Sequence, residues 1–289
     1  MKHAYLILAH NEFPILERLV KALDDPRNDI YIHVDRKTSV LPELKTAHAG
    51  LSILSDRIDV RWGDVSVVEA EFLLFEWAAK NGGYTYYHLL SGVDMPLKSQ
   101  DEIHAFCDKQ QGKEFIGFSK GDINAQIERK VQRYHLFPRD FRDHKGFFGF
   151  SRRLLRYVYL RLQDLFGMKR NQHIEFKKGT QWVSVTHDFV TYILSEKAKV
   201  LHTYKNTFCS DEIFIQTLCW HSPFRDSVYD LNNEGNGCMR MIRWKANQIW
   251  DWENKDFDIL MASDALFVRK FNSRNLEIVD KLLNKVTGS

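Results

Sequence analysis

Three observations predict an α/β fold built on a mostly parallel sheet. Strand and helix signals alternate through the first third of the chain, and a 44% hydrophobic, 13% aromatic composition is enough for one large core or two modest ones. No internal repeat, low-complexity stretch or Pro/Gly/Ser-rich linker divides the 289 residues. One domain across 1–289 is therefore expected.

Residues 5–9 read as a first strand ending at His10, Asn11 and Glu12. Pro14 then suits the first turn of a helix with Ile15, Leu16, Leu19, Val20 and Leu23 on one face. A second strand covers 29–34, with Asp35 just past its end, and a third covers 58–62. Gly63 and Asp64 turn the chain into a long helix over 66–80, with Val67, Val68, Phe72, Phe75 and Ala79 inward and Asn81-Gly82-Gly83 as its stop. A fourth strand over 84–90 runs into Ser91-Gly92-Val93-Asp94-Met95-Pro96, a short helix follows at 99–107, and 115–118 is a candidate fifth strand.

The stretch from about 120 to 178 reads as a basic helical insertion. Fifteen Lys and Arg face six Asp and Glu between 120 and 180, although the whole chain carries only +3. Arg152, Arg153, Arg156 and Arg161 lie in it on a helix with Leu154, Leu155, Tyr157, Val158 and Leu162. That composition suits contact with an anionic membrane surface, and equally a core helix with a solvated basic face. The α/β pattern resumes with a strand over 179–185 and helices over 187–195 and 210–220.

Cys107, Cys209, Cys219 and Cys238 show no paired spacing and read as reduced, packed thiols, which points to a reducing compartment. The apolar stretch at the N-terminus is too short for a signal-peptide core. No later run approaches the roughly 18 to 20 residues of a membrane span.

Chemistry concentrates in two places. Ser210 is a good N-cap, and Ile213, Phe214, Thr217 and Leu218 recur at helical spacing, so Glu212 is expected in a first helical turn. There the helix dipole favours a carboxylate able to accept a proton at neutral pH, although helices favour acids at that position in any case. Arg269 and Lys270 follow the apolar run 265–268 at an expected strand end. Two fixed cations can bind a diphosphate and stabilise its leaving charge, or form a solvated edge pair. His10, Asn11, Asp35 with Lys37, Trp62 and Asp94 fall at the carboxyl ends of strands, where open α/β sheets bind ligands.

No Gly-x-Gly-x-x-Gly opens a helix after the first strand, no Walker loop occurs, and Gly235-Asn236-Gly237 reads as a loop. There is no His-Glu-x-x-His, and Asp256-Phe257-Asp258 follows a polar stretch and reads as solvated. No metal is expected.

Six motifs, Tyr5-Leu6-Ile7-Leu8-Ala9-His10-Asn11, Ile32-His33-Val34-Asp35-Arg36-Lys37, Leu89-Leu90-Ser91-Gly92-Val93-Asp94-Met95-Pro96, Gly179-Thr180-Gln181-Trp182, Ser210-Asp211-Glu212 and Leu266-Phe267-Val268-Arg269-Lys270-Phe271, occur in this order. Together the chain resembles the core-2/I-branching N-acetylglucosaminyltransferase and peptide O-xylosyltransferase family over nearly its whole length. The resemblance implies a GT-A-type, Rossmann-like, inverting and metal-independent glycosyltransferase using a UDP-sugar as co-substrate, with no other cofactor. By the same analogy Glu212 is the base, Arg269 and Lys270 hold the UDP diphosphate, and Asp35, Lys37 and Trp62 hold the nucleoside part. Gln181 and Trp182 meet the donor sugar, and Arg129 contacts the acceptor.

Two departures from the family's pattern bear on these roles. The proline that usually separates Ser from the Asp-Glu pair is missing, so Asp211 stands beside Glu212 as an alternative base or substrate contact. Gln181 replaces an aspartate of xylosyl-transferring relatives. The implied acceptor is a glycan or a lipid-linked glycan, and the implied setting a bacterial-type cytoplasmic enzyme at the inner face of the membrane. Xylosyl transfer to a protein or glycan is an alternative. So is a non-catalytic glycan-binding protein, or a nucleic-acid-binding module built on Arg129-Lys130, Arg133-Tyr134, Phe137 and Arg139, although no nucleic acid is expected as partner.

Overall fold

The computed structural model describes residues 1–142, 146–245 and 248–288, so 143–145 of the basic stretch lie outside the described residues. In chain order the elements are β1 (Lys2–Ala9), α1 (Phe13–Ala22), β2 (Asn28–Val34), β3 (Gly50–Ile53), α2 (Ser66–Asn81), β4 (Tyr84–Ser91), β5 (Asp94–Pro96) and α3 (Gln100–Lys109). Then come α4 (Asn124–Val131), α5 (Gly146–Leu165), β6 (Ser184–Thr186), α6 (His187–Ser195), α7 (Lys197–Tyr204), α8 (Phe214–Trp220) and α9 (Glu234–Cys238). The chain closes with β7 (Arg240–Ile242), β8 (Trp244–Lys245), β9 (Gln248–Ile249), α10 (Phe257–Met261), β10 (Phe267–Arg269) and α11 (Leu276–Thr287).

The central sheet has the order β3-β2-β1-β4-β6. β1 pairs in parallel with both β2 and β4, β2 pairs in parallel with β3, and β6 joins antiparallel at the edge. Because strand side chains alternate between faces, β1 sends Ala4 and Leu6 into one core and Tyr5, Ile7 and Ala9 into another. Helix α2 covers the first face with Val68, Phe72 and Phe75, and α1 and α11 cover the second with Leu16, Leu19, Ile278 and Leu282. This burial on both faces explains why the inner strands read as continuous apolar runs.

Several local expectations are realised. Pro14 sits in the first turn of α1, Gly82 at φ 63° ends α2, and Ser99 caps α3 in a capping box with Glu102. All four cysteines are free and buried.

Others are corrected. Residues 58–62 are not a strand: Ile58 donates its N–H to His33 Nε2 at 2.8 Å and accepts from Arg36 at 3.0 Å, single ties that replace a ladder, and the third strand is β3 instead. Residues 115–118 contribute only an isolated bridge from Phe115 to Ser184. In 179–185 only the end is extended as β6, because the preceding residues are drawn to side chains of other elements. Gly235 to Gly237 lie in the short helix α9, capped by Asn233. Asp256 is buried and paired with Arg243 at 2.7 Å, whereas Asp258 is exposed as expected.

A second, three-stranded sheet has β10 between β5, antiparallel, and β7, parallel. Its register sets Arg269 opposite Asp94. The carboxyl ends of β1, β2 and β4 thereby share one side of the molecule with the end of β10.

Candidate active site

Helix 210–220 begins later than the sequence predicts. Ser210, Asp211 and Glu212 form a 3-10 turn, Cys209 before it is left-handed at φ 50°, and α8 starts at Phe214. Ser210 makes no side-chain cap, and its Oγ is buried without a hydrogen-bond partner. Tertiary ties explain the shift: Cys209 N–H donates to Gly63 O at 2.8 Å, and Gly179 N–H donates to Glu212 O at 2.9 Å. The first satisfies an N–H that no helix would pair, and the second gives the Glu212 carbonyl a partner outside the helix.

Glu212 is partly exposed, and Lys130 Nζ at 2.6 Å and Lys178 Nζ at 3.5 Å both approach its Oε2. Asp211 differs sharply. Its Oδ1 is closed off from solvent without a partner, and burial first, then the charge of Glu212, pushes its carboxyl up to about 7. Glu71, fully buried on α2, lies close enough to interact with Asp211 and is held well above the usual carboxylate range by burial. Gln181 Nε2 donates to Glu71 Oε1 at 2.6 Å.

Arg269 ends β10 almost completely buried. Its guanidinium lies 4.1 Å from the centre of the Trp182 ring, and Nη1 is 3.7 Å from Asp94 Oδ1. Nε and Nη1 have no hydrogen-bond partner. A buried guanidinium with unused donors is poised to take an anion. Burial raises the carboxyl of Asp94, while the neighbouring arginine opposes that shift. Lys270 is half-buried, with Nζ 3.8 Å from Asp251 Oδ1.

One short segment spans both groups. Lys178 pairs with Glu212, Gly179 bonds the Glu212 carbonyl, Thr180 O accepts from Gln216, Gln181 holds Glu71, and Trp182 carries Arg269. Gly179 and Trp182 are three residues apart, so at most about 11 Å separates their backbones. The contacts of the acid and of the cation are therefore carried by neighbouring residues of one short segment.

The candidates at the ends of β1 and β2 and near Trp62 are less uniform. His10, Phe13, Asp35, Lys37 and Val40 line a crevice of about 400 Å³. Lys37 Nζ folds back to Asp35 at 2.7 Å and Asp59 at 3.0 Å. Trp62 is 47% exposed, with Arg142 stacked 4.1 Å above its ring and Phe208 against its edge. Arg129 is exposed on α4, and it is its neighbour Lys130 that reaches Glu212. A larger cavity of about 690 Å³, lined by Lys98, Phe106, Tyr229 and Asp264 among others, opens near the other end of β10 and contains none of these residues.

Among the described residues, the side chains with metal-ligand spacing are His3, His88 and Cys107, buried within 4.8 Å of one another. His88 Nε2 is hydrogen-bonded to His3 Nδ1 at 3.1 Å, and burial keeps both rings far below the usual histidine range. His3 lies on β1, His88 on β4 and Cys107 on α3.

Sequence reasoning missed Lys178 and Glu71, and it placed Lys130 only in a basic cluster, not beside Glu212. Glu71 carried a readable signal, since it falls three residues after Val68 and four before Phe75 on the apolar face of α2. The lysines are fixed by tertiary packing alone.

A family model described as Core-2/I-Branching enzyme matches residues 3–267. Rat xylosyltransferase 2 is 25% identical over 99% of this chain and 34% of its own length, and rat xylosyltransferase 1 is 23% identical over 99% and 35%. The human N-acetyllactosaminide β-1,6-N-acetylglucosaminyl-transferase is 24% identical over 93% of the chain and 67% of that protein. The chain thus spans about a third of the length of the xylosyltransferases it matches.

Proposed function

The chain belongs to the Core-2/I-Branching enzyme family, and from that membership and the crevice we propose an inverting, metal-independent GT-A-type glycosyltransferase. It moves a sugar, N-acetylglucosamine in the first reading, from a UDP-sugar to a glycan hydroxyl during polysaccharide or glycoconjugate synthesis. The chain acts as one domain on the cytoplasmic side of a membrane, with a glycan or lipid-linked acceptor.

The observation that carries this reading is the segment from Lys178 to Trp182, which ties an accessible carboxylate at one end to a buried, under-bonded arginine at the other. Glu212, held through Oε2 by two lysines, takes the proton of the acceptor hydroxyl. That oxygen attacks the anomeric carbon, the bond to the UDP oxygen breaks, and its electron pair goes to the diphosphate. Arg269 and Lys270 offset the growing charge, the task a metal ion performs elsewhere. Asp35, Lys37 and Trp62 hold the nucleoside, and Gln181 and Trp182 border the sugar. Asp211, buried and raised to about 7, is a weaker candidate base than Glu212 because a proton-accepting oxygen must reach the substrate.

Xylosyl transfer is the second reading, favoured by the similarity to xylosyltransferases. Calorimetric titration with UDP and UDP-sugars in EDTA tests both. We expect saturable UDP binding, preference for one sugar, and about 10-fold to 100-fold weaker binding after Lys270→Ala, the loss typical of one charged hydrogen bond. Binding that needs a divalent ion would contradict the metal-free reading, and no uridine nucleotide binding would contradict the site.

A further inference from the structure

Helix α5 is turned inside out relative to an ordinary surface helix. At about 100° per residue, Gly149, Arg156 and Gln163 repeat every seven positions on one side, and this polar side faces the protein. Gln163, 1% exposed, exchanges two hydrogen bonds with the Tyr134 backbone at 2.8 and 2.9 Å. Arg156 donates to the carbonyls of Leu136 and Phe137, both at 2.9 Å, and Arg152 pairs with Asp140 at 2.7 Å.

The opposite side is apolar and open. Phe147, Phe150, Leu154, Val158, Leu162 and Leu165 lie along it, each between 43% and 79% exposed. Among the described residues nothing covers this stripe. Monomeric surfaces rarely leave so long a contiguous apolar row in water, whereas interaction sites do. Arg161 is exposed within this stripe, between Phe150 and Leu154 in projection, and Arg153 is exposed between the stripe and the polar side, in a segment where fifteen Lys and Arg oppose six Asp and Glu.

From these facts we infer that α5 is a membrane-docking helix that lies flat on an anionic lipid surface. The apolar stripe enters the acyl boundary, Arg153 meets lipid phosphates from the flank of the helix, and Arg161 extends its guanidinium from within the stripe up to the same phosphates. A second copy of the chain fits less well, because pairing two such faces would bring two strongly basic segments together. No helix among the described residues is long and apolar enough to cross a membrane, so the contact is interfacial. The inference stands apart from the transferase reading but places it. Arg152 joins α5 to Asp140, Arg139 from the same turn reaches Asp59 at 2.8 Å, and Asp59 holds Lys37 of the crevice.

Co-sedimentation of the full chain with phosphatidylcholine vesicles, with and without phosphatidylglycerol, tests the inference. We expect binding to the anionic vesicles that weakens with salt. Leu154→Asp/Val158→Asp/Leu165→Asp should abolish it, and these exposed positions should leave the thermal midpoint no lower. Arg153→Glu/Arg161→Glu should weaken it by roughly fivefold or more per arginine. No binding by the unaltered protein would overturn the inference, as would binding that survives the aspartate variant. A dimer in light scattering that the aspartate variant dissociates would assign the stripe to a second copy instead.

Discussion

At the scale of single residues, the acids of the 3-10 turn are adjacent in sequence and opposite in environment. Glu212 meets two ammonium groups, while Asp211 turns into a closed space near Glu71. Asp211 and Glu212 are indistinguishable as neighbouring acids in the sequence, because burial depends on which way a single 3-10 turn rolls. The environment of Asp211 has a consequence for stability. With its carboxyl raised from 3.8 to about 7, the native state holds more protons than the unfolded chain in that interval. Stability therefore falls as pH rises through it. Asp211→Asn should flatten that slope in urea unfolding measured from pH 4 to 7. The flattening is partial, because Glu114, also buried and pushed up to about 7, contributes with the same sign. If Glu212 is the base, Lys130→Ala should lower turnover on the order of 10-fold to 100-fold with little change in donor affinity, since it loosens the Glu212 carboxylate and leaves Arg269 and Lys270 untouched.

At the scale of elements, legibility follows where the hydrogen bonds go. Strands β1, β2 and β4 and helices α1, α2 and α3 satisfy their backbones within regular structure, and apolar periodicity with capping residues reveals them. The stretch 58–62 and the turn at Ser210 satisfy theirs through His33, Gly63 and Gly179, distant in sequence and invisible to periodicity. Helix α5 was legible as a helix, but its polar anchoring and outward apolar stripe were not, because composition does not say which face the fold will cover. Gly179 tests the importance of these long-range ties. A Cβ there would fall on the Gly117 carbonyl oxygen and 3.0 Å from Gln216 Nε2. Gly179→Ala should cost about 1–3 kcal/mol in unfolding free energy. It should also reduce transfer in the surviving folded protein, because the Glu212 carbonyl loses its fixed partner. Unchanged transfer per folded molecule would remove the segment from the account.

At the scale of the molecule, two cores lie on either side of one sheet, and the crevice opens at the carboxyl ends of β1 and β2. The second sheet sets Arg269 beside Asp94. The sequence motifs marked both regions, and the fold joins them through the Lys178 to Trp182 segment. If the diphosphate charge is met by this arginine and lysine alone, turnover should be the same in EDTA as in added magnesium or manganese, as read by UDP release. A reaction stopped by chelator and restored by metal would assign that charge to an ion.

The most direct test of the whole account is acceptor-dependent UDP release by Glu212→Gln, measured alongside its UDP affinity. The rate should fall by about 10²–10⁴ with UDP binding nearly unchanged. A normal rate would take Glu212 out of the reaction, and a parallel loss of UDP binding would make it part of the donor site.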